Sequence, residues 1–385
     1  MWAILIFNAM AAMFVGMSIT GLINLRWVRR LPSLDELTGA DREPGQPIRC
    51  SVVIAARDEA ERIEQTLRHL LAQRGVAAEF IVVDDRSADG TGDIVTRFAK
   101  GDSRLQVKRV DVLPEGWLGK CHACHVGANA AKGDWILFTD ADCWLKPDVI
   151  ARAVRVAERE GADHVTMAAG TVLESTATRA WYLLFLTGLA GWIAGVNRDR
   201  PKSHLGIGAF NLVRAAAYRQ CGGYEALRLT VVDNIKLGLL LRRAGKRTRA
   251  FLGGDDVECH WGKTVGNMVK IMEKNYFAAV DYRLSRVLGF SLALVLVFTL
   301  LVLGLFSGTA AGYVAVGSLL APMLPAAILA RRIGWSWPCA VLLPFMFPVF
   351  GYTVLNSTFA TLRRGGIRWR DTFYPLATLR AGNVQ

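Results

Sequence analysis

The 385 residues, 52% of them hydrophobic and carrying 46 basic against 33 acidic side chains (net charge +13), leave room for two domains or one large one. The apolar excess gathers in the first 25 residues and after Val287, which reads as a membrane protein with a soluble middle whose positive balance suits anionic lipid headgroups. Seven cysteines without framework spacing argue against a secreted disulfide scaffold, and no aromatic-plus-basic module points to nucleic acid.

Residues 1–25 contain no charged side chain, and Arg26, Arg29 and Arg30 follow. The run exceeds a signal-peptide core and lacks a small-residue cleavage site, so it predicts one spanning helix with its arginine end in the cytoplasm. A linker, 26–48, is interrupted by Pro32, Pro44 and Pro47. From Arg49 onward, strands and helices alternate. Cys50–Ala56, Glu79–Asp85, Leu105–Val110, Trp135–Thr139 and His164–Ala168 read as strands. Asp58–Gln73, Gly90–Lys100, Gly119–Ala131 and Pro147–Glu160 read as helices. This alternation predicts an α/β domain with a mostly parallel sheet and helices on both faces.

Trp181–Val196 is apolar for 16 residues. That is short for a span and favours a helix lying in the membrane interface or against a lipid substrate. Asn234–Ala244 reads as a helix before a basic turn at Lys246, Arg247 and Arg249, and Thr264–Tyr282 as an amphipathic helix. The last region, 281–385, holds three apolar blocks, Val287–Phe306, Ala310–Leu329 and Pro338–Leu355, and an arginine-rich tail, Thr361–Arg380. Four full crossings starting outside would leave that basic tail outside, so two or three crossings are expected after 281. Pro338–Leu355, broken by Pro344 and Pro348, is the candidate for re-entry.

Chemistry concentrates at strand ends. The apolar run Trp135–Phe138 leads into Asp140 and Asp142, and in open α/β sheets the ligand crevice lies outside the carboxyl ends of the strands. Two carboxylates so close repel unless a cation or donor groups compensate, and a hard divalent ion bridging them to phosphates is the simplest solution. A polar turn after a strand is the plain alternative. Asp84 and Asp85 end the second strand and Asp233 precedes a later helix; each alone also suits a turn or cap. Cys121-His122-Ala123-Cys124-His125 lacks the second ligand pair of structural zinc and falls in an expected helix, so buried thiols and surface histidines are preferred. Gly206–Phe210 holds Gly-x-Gly without the strand–helix context of a dinucleotide fingerprint.

Four segments, Ser51–Glu59, Val82–Thr91, Gly116–Lys120 and Asp140–Asp142, together resemble family 2 glycosyltransferases with a GT-A fold. The resemblance covers roughly 49–280 and is to membrane-attached members that glycosylate lipids, similar to ceramide glucosyltransferase-like and hopanoid-associated enzymes. It implies nucleotide-sugar contacts at Ala55, Arg57, Asp58, Asp84, Asp85, Lys120 and Asp140, and a Mg²⁺ or Mn²⁺ held by Asp142 with help from Asp140. It also implies an inverting transfer from a nucleotide sugar, UDP-sugar first, to a membrane lipid (hopanoid, sphingolipid, carotenoid or polyisoprenoid) at the cytoplasmic side of the inner or plasma membrane. Three departures matter. Asp58 stands where Asn is usual. The family's acidic pair is Asp233-Asn234 here, and since an amide cannot take a proton, Asp233 is the expected base. The later Gln/Arg-x-x-Arg-Trp motif has no clear copy, its region being occupied by His260-Trp261 and Glu273-Lys274-Asn275. Lys120 reads equally as a solvated helix-start lysine. A non-catalytic scaffold with a degenerate GT-A domain stays open because of Asn234, as does a polysaccharide synthase, although three C-terminal blocks are few for a channel. No charged residue inside those blocks marks a transporter's path.

Overall fold

The computed structural model describes residues 1–37, 47–173, 175–260, 262 and 264–384; Pro44 of the linker and Trp261 lie outside them. The chain forms two compact units, one from Arg29–Val172, Gly195–Trp261 and Gly382–Gln385, the other from Met1–Val28, Leu173–Ala194 and Gly262–Ala381.

The first unit is built on an eight-stranded sheet. Its strands in chain order are β1 (Arg49–Ala56), β2 (Ala77–Asp85), β3 (Leu105–Val110), β4 (Trp135–Asp140), β5 (Cys143–Leu145), β6 (His164–Thr171), β7 (Asn211–Arg214) and β8 (Thr248–Cys259). Across the sheet the order is β3-β2-β1-β4-β7-β6-β8-β5. Among the described residues, β1 runs parallel to β2 and β4, β2 to β3 and β6 to β8, while β7 is antiparallel to β4 and β6, and β5 to β8. Val52, Val53 and Ile54 of β1 are wholly buried, so both faces of that strand are covered, which is what its unbroken apolar run encodes. The core continues through Phe80, Leu137, Val154, Met167 and Phe251. Because β2 and β4 flank β1 on opposite sides, the strand order reverses at β1, and the carboxyl ends at such a reversal are where open α/β sheets place their ligands.

The helix expected from Asp58 begins only at Ile63. The backbone N–H groups that would open it are engaged elsewhere: Asp58 N–H donates to Ser87 Oγ (3.1 Å), Glu59 N–H to Thr91 Oγ1 (2.8 Å) and Ala60 N–H to Asp89 Oδ2 (2.9 Å). The first loop is thus stitched to the second. Asp58 itself takes a left-handed backbone (φ 54°), a conformation Asp tolerates better than most residues.

The second unit is helical. Four of its segments, Trp2–Leu25, Thr176–Asn197, Leu284–Leu305 and Ala310–Arg332, are long and apolar enough to cross a membrane. Phe7, Met10 and Phe14 pack with Leu301 and Ala315, while Trp2, Leu292 and Phe306 stand 74%, 70% and 81% exposed, a surface suited to lipid rather than water. Arg332 Nη1 donates to the carbonyls of Leu25 and Val28, closing the end of the first helix with positive charge. The short apolar segment Trp181–Val196 belongs to a longer, 22-residue helix, Thr176–Asn197, whose last three residues fall in the sheet unit. It runs on through Arg179, whose Nε donates to the Leu173 carbonyl (2.8 Å), so the charge that ended the apolar count does not end the helix. Pro338–Leu355 resolves into a short turn, Pro338–Val341, and a helix, Leu343–Arg364, that carries Pro348 inside. The single amphipathic helix expected over Thr264–Tyr282 is broken into Val265–Met272 and Tyr276–Ala279. The break falls where Asn356 and Arg364 reach Glu273 (3.2 and 2.6 Å).

Candidate active site

Register brings the acids of β2 and β4 to one end of the sheet. Ala56 of β1 pairs with Asp84 of β2, and Ala55 pairs with Asp140 of β4. With neighbouring strands about 4.8 Å apart, the two carboxylate-bearing positions stand roughly 10 Å from each other across β1. Asp84 is buried, and its Oδ1 accepts from the Ser87 N–H (3.2 Å). Gly92 allows its approach, since a Cβ there would collide with Asp84 Oδ2. Asp85 is held by the Arg86 guanidinium (2.8 and 3.0 Å), with Arg57 Nη1 at 4.0 Å. Asp58 Oδ1 accepts from the Ala88 N–H (2.9 Å).

On the other side of β1, Lys120 Nζ donates to Asp140 Oδ1 at 2.5 Å. Burial pulls the Lys120 ammonium toward neutrality, but the Asp140 and Asp233 carboxylates more than offset this and hold its pKa well above the ordinary value. Lys120 is therefore not the solvated lysine of the plain reading. It ties Asp140 and Asp233 into one electrostatic cluster. Asp142 is half-buried, and its pKa is raised, first by burial and next by the Asp140 charge, with Arg62 and Lys120 opposing. A cation beside these two carboxylates would relieve that strain, so the donor set fits a hard divalent ion.

Asp233 opens the helix Asp233–Arg243 and is 3% exposed. A directional chain of hydrogen bonds ends on it. Burial lowers the pKa of His164 at the start of β6 to about 4, so its imidazole is neutral; one ring nitrogen meets Thr248 Oγ1 (3.1 Å) and the other Asn211 Oδ1 (2.5 Å). Asn211 Nδ2 donates to Asn234 Oδ1 (3.3 Å), and Asn234 Nδ2 donates to Asp233 Oδ1 (3.4 Å). Tyr224, fully buried, donates its O–H to Asp233 Oδ2 (3.1 Å). The amide at 234 thus supplies a donor to the neighbouring acid where a carboxylate would repel it.

The Gly206–Phe210 loop closes the cluster. Thr139 Oγ1 donates to the Ala209 carbonyl (2.8 Å), and the Ile207 N–H donates to Thr166 Oγ1 (2.8 Å). A Cβ on Gly208 would stand 2.5 Å from Asp140 Oδ2 and 2.8 Å from Asn234 Nδ2, so any side chain there would have to displace one of these groups. An open depression of about 470 Å³ lined by Gly222, Glu225, Ala226, Arg228 and Gly382 contains none of these groups.

Other sequence candidates lie elsewhere. Cys121 Sγ faces the Thr230 carbonyl (3.5 Å), and His122 and His125 pack against Trp117. His260 lies on Trp144, with ring centroids 3.5 Å apart. Glu273 and Lys274 belong to the helical unit, Lys274 resting over the Trp369 ring. His164, Asn211 and Tyr224 were not singled out from the sequence; a histidine opening an apolar strand was the available signal.

Residues 51–222 match the family model Glycosyl transferase family 2. The chain carries a family 2 glycosyltransferase domain. Asp233 and β8 lie beyond the matched stretch of that domain. Among similar proteins, a succinoglycan biosynthesis protein of Rhizobium meliloti is 36% identical over 110 residues, 29% of this chain and 30% of its own length. A 4,4'-diaponeurosporenoate glycosyltransferase of Staphylococcus haemolyticus is 33% identical over 104 residues, 27% of either chain. The chain thus spans less than a third of the length of these two relatives. Among solved structures, a mannosyltransferase from Pyrobaculum calidifontis in complex with GDP-Man and Mn²⁺ superposes with a TM-score of 0.55 at 18% identity, covering 94% of this chain and 98% of that one. The fold is GT-A.

Proposed function

We propose that this glycosyltransferase is an inverting enzyme that moves a sugar from a nucleoside diphosphate, UDP-sugar first among the donors to test, to a hydroxyl of a membrane lipid. One observation carries the proposal: Asp84 and Asp140 stand at the carboxyl ends of β2 and β4 on either side of β1, with Asp142 two residues past β4 and Lys120 coupling Asp140 to Asp233. In this reading Asp84 accepts from the ribose or base, whose N–H and O–H groups are donors. Ala55, Arg57, Asp58 and Asp85 frame the same end of the crevice, and Lys120 adds positive charge for the diphosphate. Asp140 and Asp142 would hold a Mg²⁺ or Mn²⁺, which when bound supplies Lewis acidity to the leaving diphosphate. Asp233 takes the proton of the acceptor hydroxyl in a single displacement; Tyr224 and Asn234 each occupy one of its oxygens, and a carboxylate oxygen has a second lone pair to offer.

A lipid acceptor is supported by the apolar helices of the second unit and by the Staphylococcus relative, named for a carotenoid acid. The Rhizobium relative, named for succinoglycan biosynthesis, favours a carbohydrate acceptor as the second reading. Labelled nucleotide sugars offered with a membrane lipid extract, followed by mass analysis of the product, distinguish the two. Asp233→Asn should lower turnover by orders of magnitude with donor binding retained. Near-normal turnover would remove Asp233 from the mechanism, and no transfer from any donor by the wild type would leave the scaffold reading standing.

A further inference from the structure

Just past Asp142, β5 and β8 run antiparallel with Cys143 directly opposite Cys259. Both side chains are buried, and both thiols converge on one atom, each Sγ lying 3.7 Å from Asp142 Oδ1. The three ligand atoms lie within 4.8 Å of one another. A tetrahedral zinc ion, with Zn–S of about 2.3 Å and Zn–O of about 2.1 Å, spaces sulfur and oxygen ligands about 3.6 Å apart. Two adjacent strands therefore already hold these atoms at close to the separation of a filled site.

We propose that Asp142, Cys143 and Cys259 form a binding site for a thiophilic divalent cation of the zinc class, with its fourth position open and Asp142 shared with the donor site. Thiolates select zinc over the hard ions Mg²⁺ and Mn²⁺, which prefer carboxylate and phosphate oxygens. Three protein ligands and an open position make an exchangeable site rather than a closed structural one. Both thiols must give up their protons, so each ion taken up releases about two protons to solvent. Occupation draws Asp142 Oδ1 onto the soft ion and makes zinc an inhibitor of transfer. That last consequence rests on the role proposed for Asp142; binding of the ion does not.

The test uses the full chain in detergent, reduced and stripped of metal, titrated with Cd²⁺ as a spectroscopic probe. The expected result is ultraviolet thiolate-to-metal absorption that saturates at one ion per chain. It should be retained in Cys221→Ser, a thiol outside the cluster, and lost in Cys143→Ser and in Cys259→Ser. Zn²⁺ affinity, read by competition, should fall roughly a hundredfold or more in Cys259→Ser, since even outer-shell partners are worth about 10–100-fold. Mn²⁺-supported transfer by Cys259→Ser, compared with its own zinc-free rate, should resist zinc by the same factor relative to the wild type. Absence of the absorption band, or a band of equal strength in both single variants, overturns the site. Zinc bound at one per chain with transfer unaffected would keep the site and overturn the shared role of Asp142.

Discussion

His164 allows the buried network to be tested without knowing any substrate. Its ring is wholly buried, and burial lowers its pKa from 6.5 to about 4 against a raising contribution from the Asn211 hydrogen bond. In the unfolded chain the imidazole titrates near its ordinary value, so the two states differ by about 2.5 units, or roughly 3 kcal/mol at 1.36 kcal/mol per unit. The sign follows from proton counting. Between about pH 6.5 and 4 the unfolded state binds a proton that the folded state refuses, so stability falls as pH falls through that window and is unaffected above it. Asp89, Asp102 and Asp199, whose pKa values are lowered, contribute stability above the usual carboxylate range that is lost only at lower pH. His122 and His260 are shifted in the same direction as His164 but are less buried, so the comparison must be with a variant. His164→Gln keeps an amide N–H for Asn211 and removes the titration. It should be less stable than wild type at pH 7.5, and the gap should close by about 3 kcal/mol as denaturant unfolding is repeated down to pH 4. Parallel stability curves for the two proteins would refute a buried neutral histidine at this position.

Asn234→Asp puts a second carboxylate where the amide now donates to Asp233 over 3.4 Å. At an effective dielectric of about 20, two unit charges at that distance repel by roughly 5 kcal/mol, so the pair should hold a proton at neutral pH and the acid limb of the turnover profile should move upward. A profile that superposes on the wild type would show that the amide is not what keeps Asp233 ionised. Asp142→Ala should weaken Mn²⁺-dependent nucleotide binding by two orders of magnitude or more; an unchanged nucleotide titration in Mn²⁺ would count against a metal there. Gly208→Ala drives a methyl to within 2.5 Å of Asp140 Oδ2. It should cost about 1–3 kcal/mol of stability by overpacking and lower turnover more than donor affinity. Full activity would mean that the Gly206–Phe210 loop is free to move away.

The parallel half of the sheet could be read from the sequence because β1, β2 and β4 are buried apolar runs that alternate with helices. Val52 to Ile54 and Trp135 to Phe138 are buried almost completely, and such strands announce themselves without neighbours. The antiparallel half could not. β5 has three residues and β7 four, too few for any period to show, and β8 runs through Gly253, Gly254, Asp255 and Asp256 where its register against β6 shifts. Those strands exist because their partners do. The same division runs through the site. Asp84 and Asp140 sit at the ends of self-evident strands, whereas the groups that condition Asp233 come from β6, β7 and a buried tyrosine.

That difference bears on Asn234. Taken alone, an amide in place of an acid suggests a degenerate site, because only the local pair is visible. The fold places Asn211 47 residues beyond His164 yet within 2.5 Å of its ring, and turns Asn234 so that its oxygen receives from Asn211 while its nitrogen gives to Asp233. An acid at 234 could accept the first bond but not make the second, and Asp233, 3% exposed, has no bulk water to supply the missing donor. Lys120 lies on the other side, its charge already engaged by Asp140 as well as Asp233. A carboxylate that receives from a phenol and an amide, with the Lys120 ammonium near it, is electrostatically self-consistent, whereas a second carboxylate at 234 would repel it. The substitution that looks like the loss of a base leaves the remaining acid with a hydrogen-bond donor where a second carboxylate would repel it.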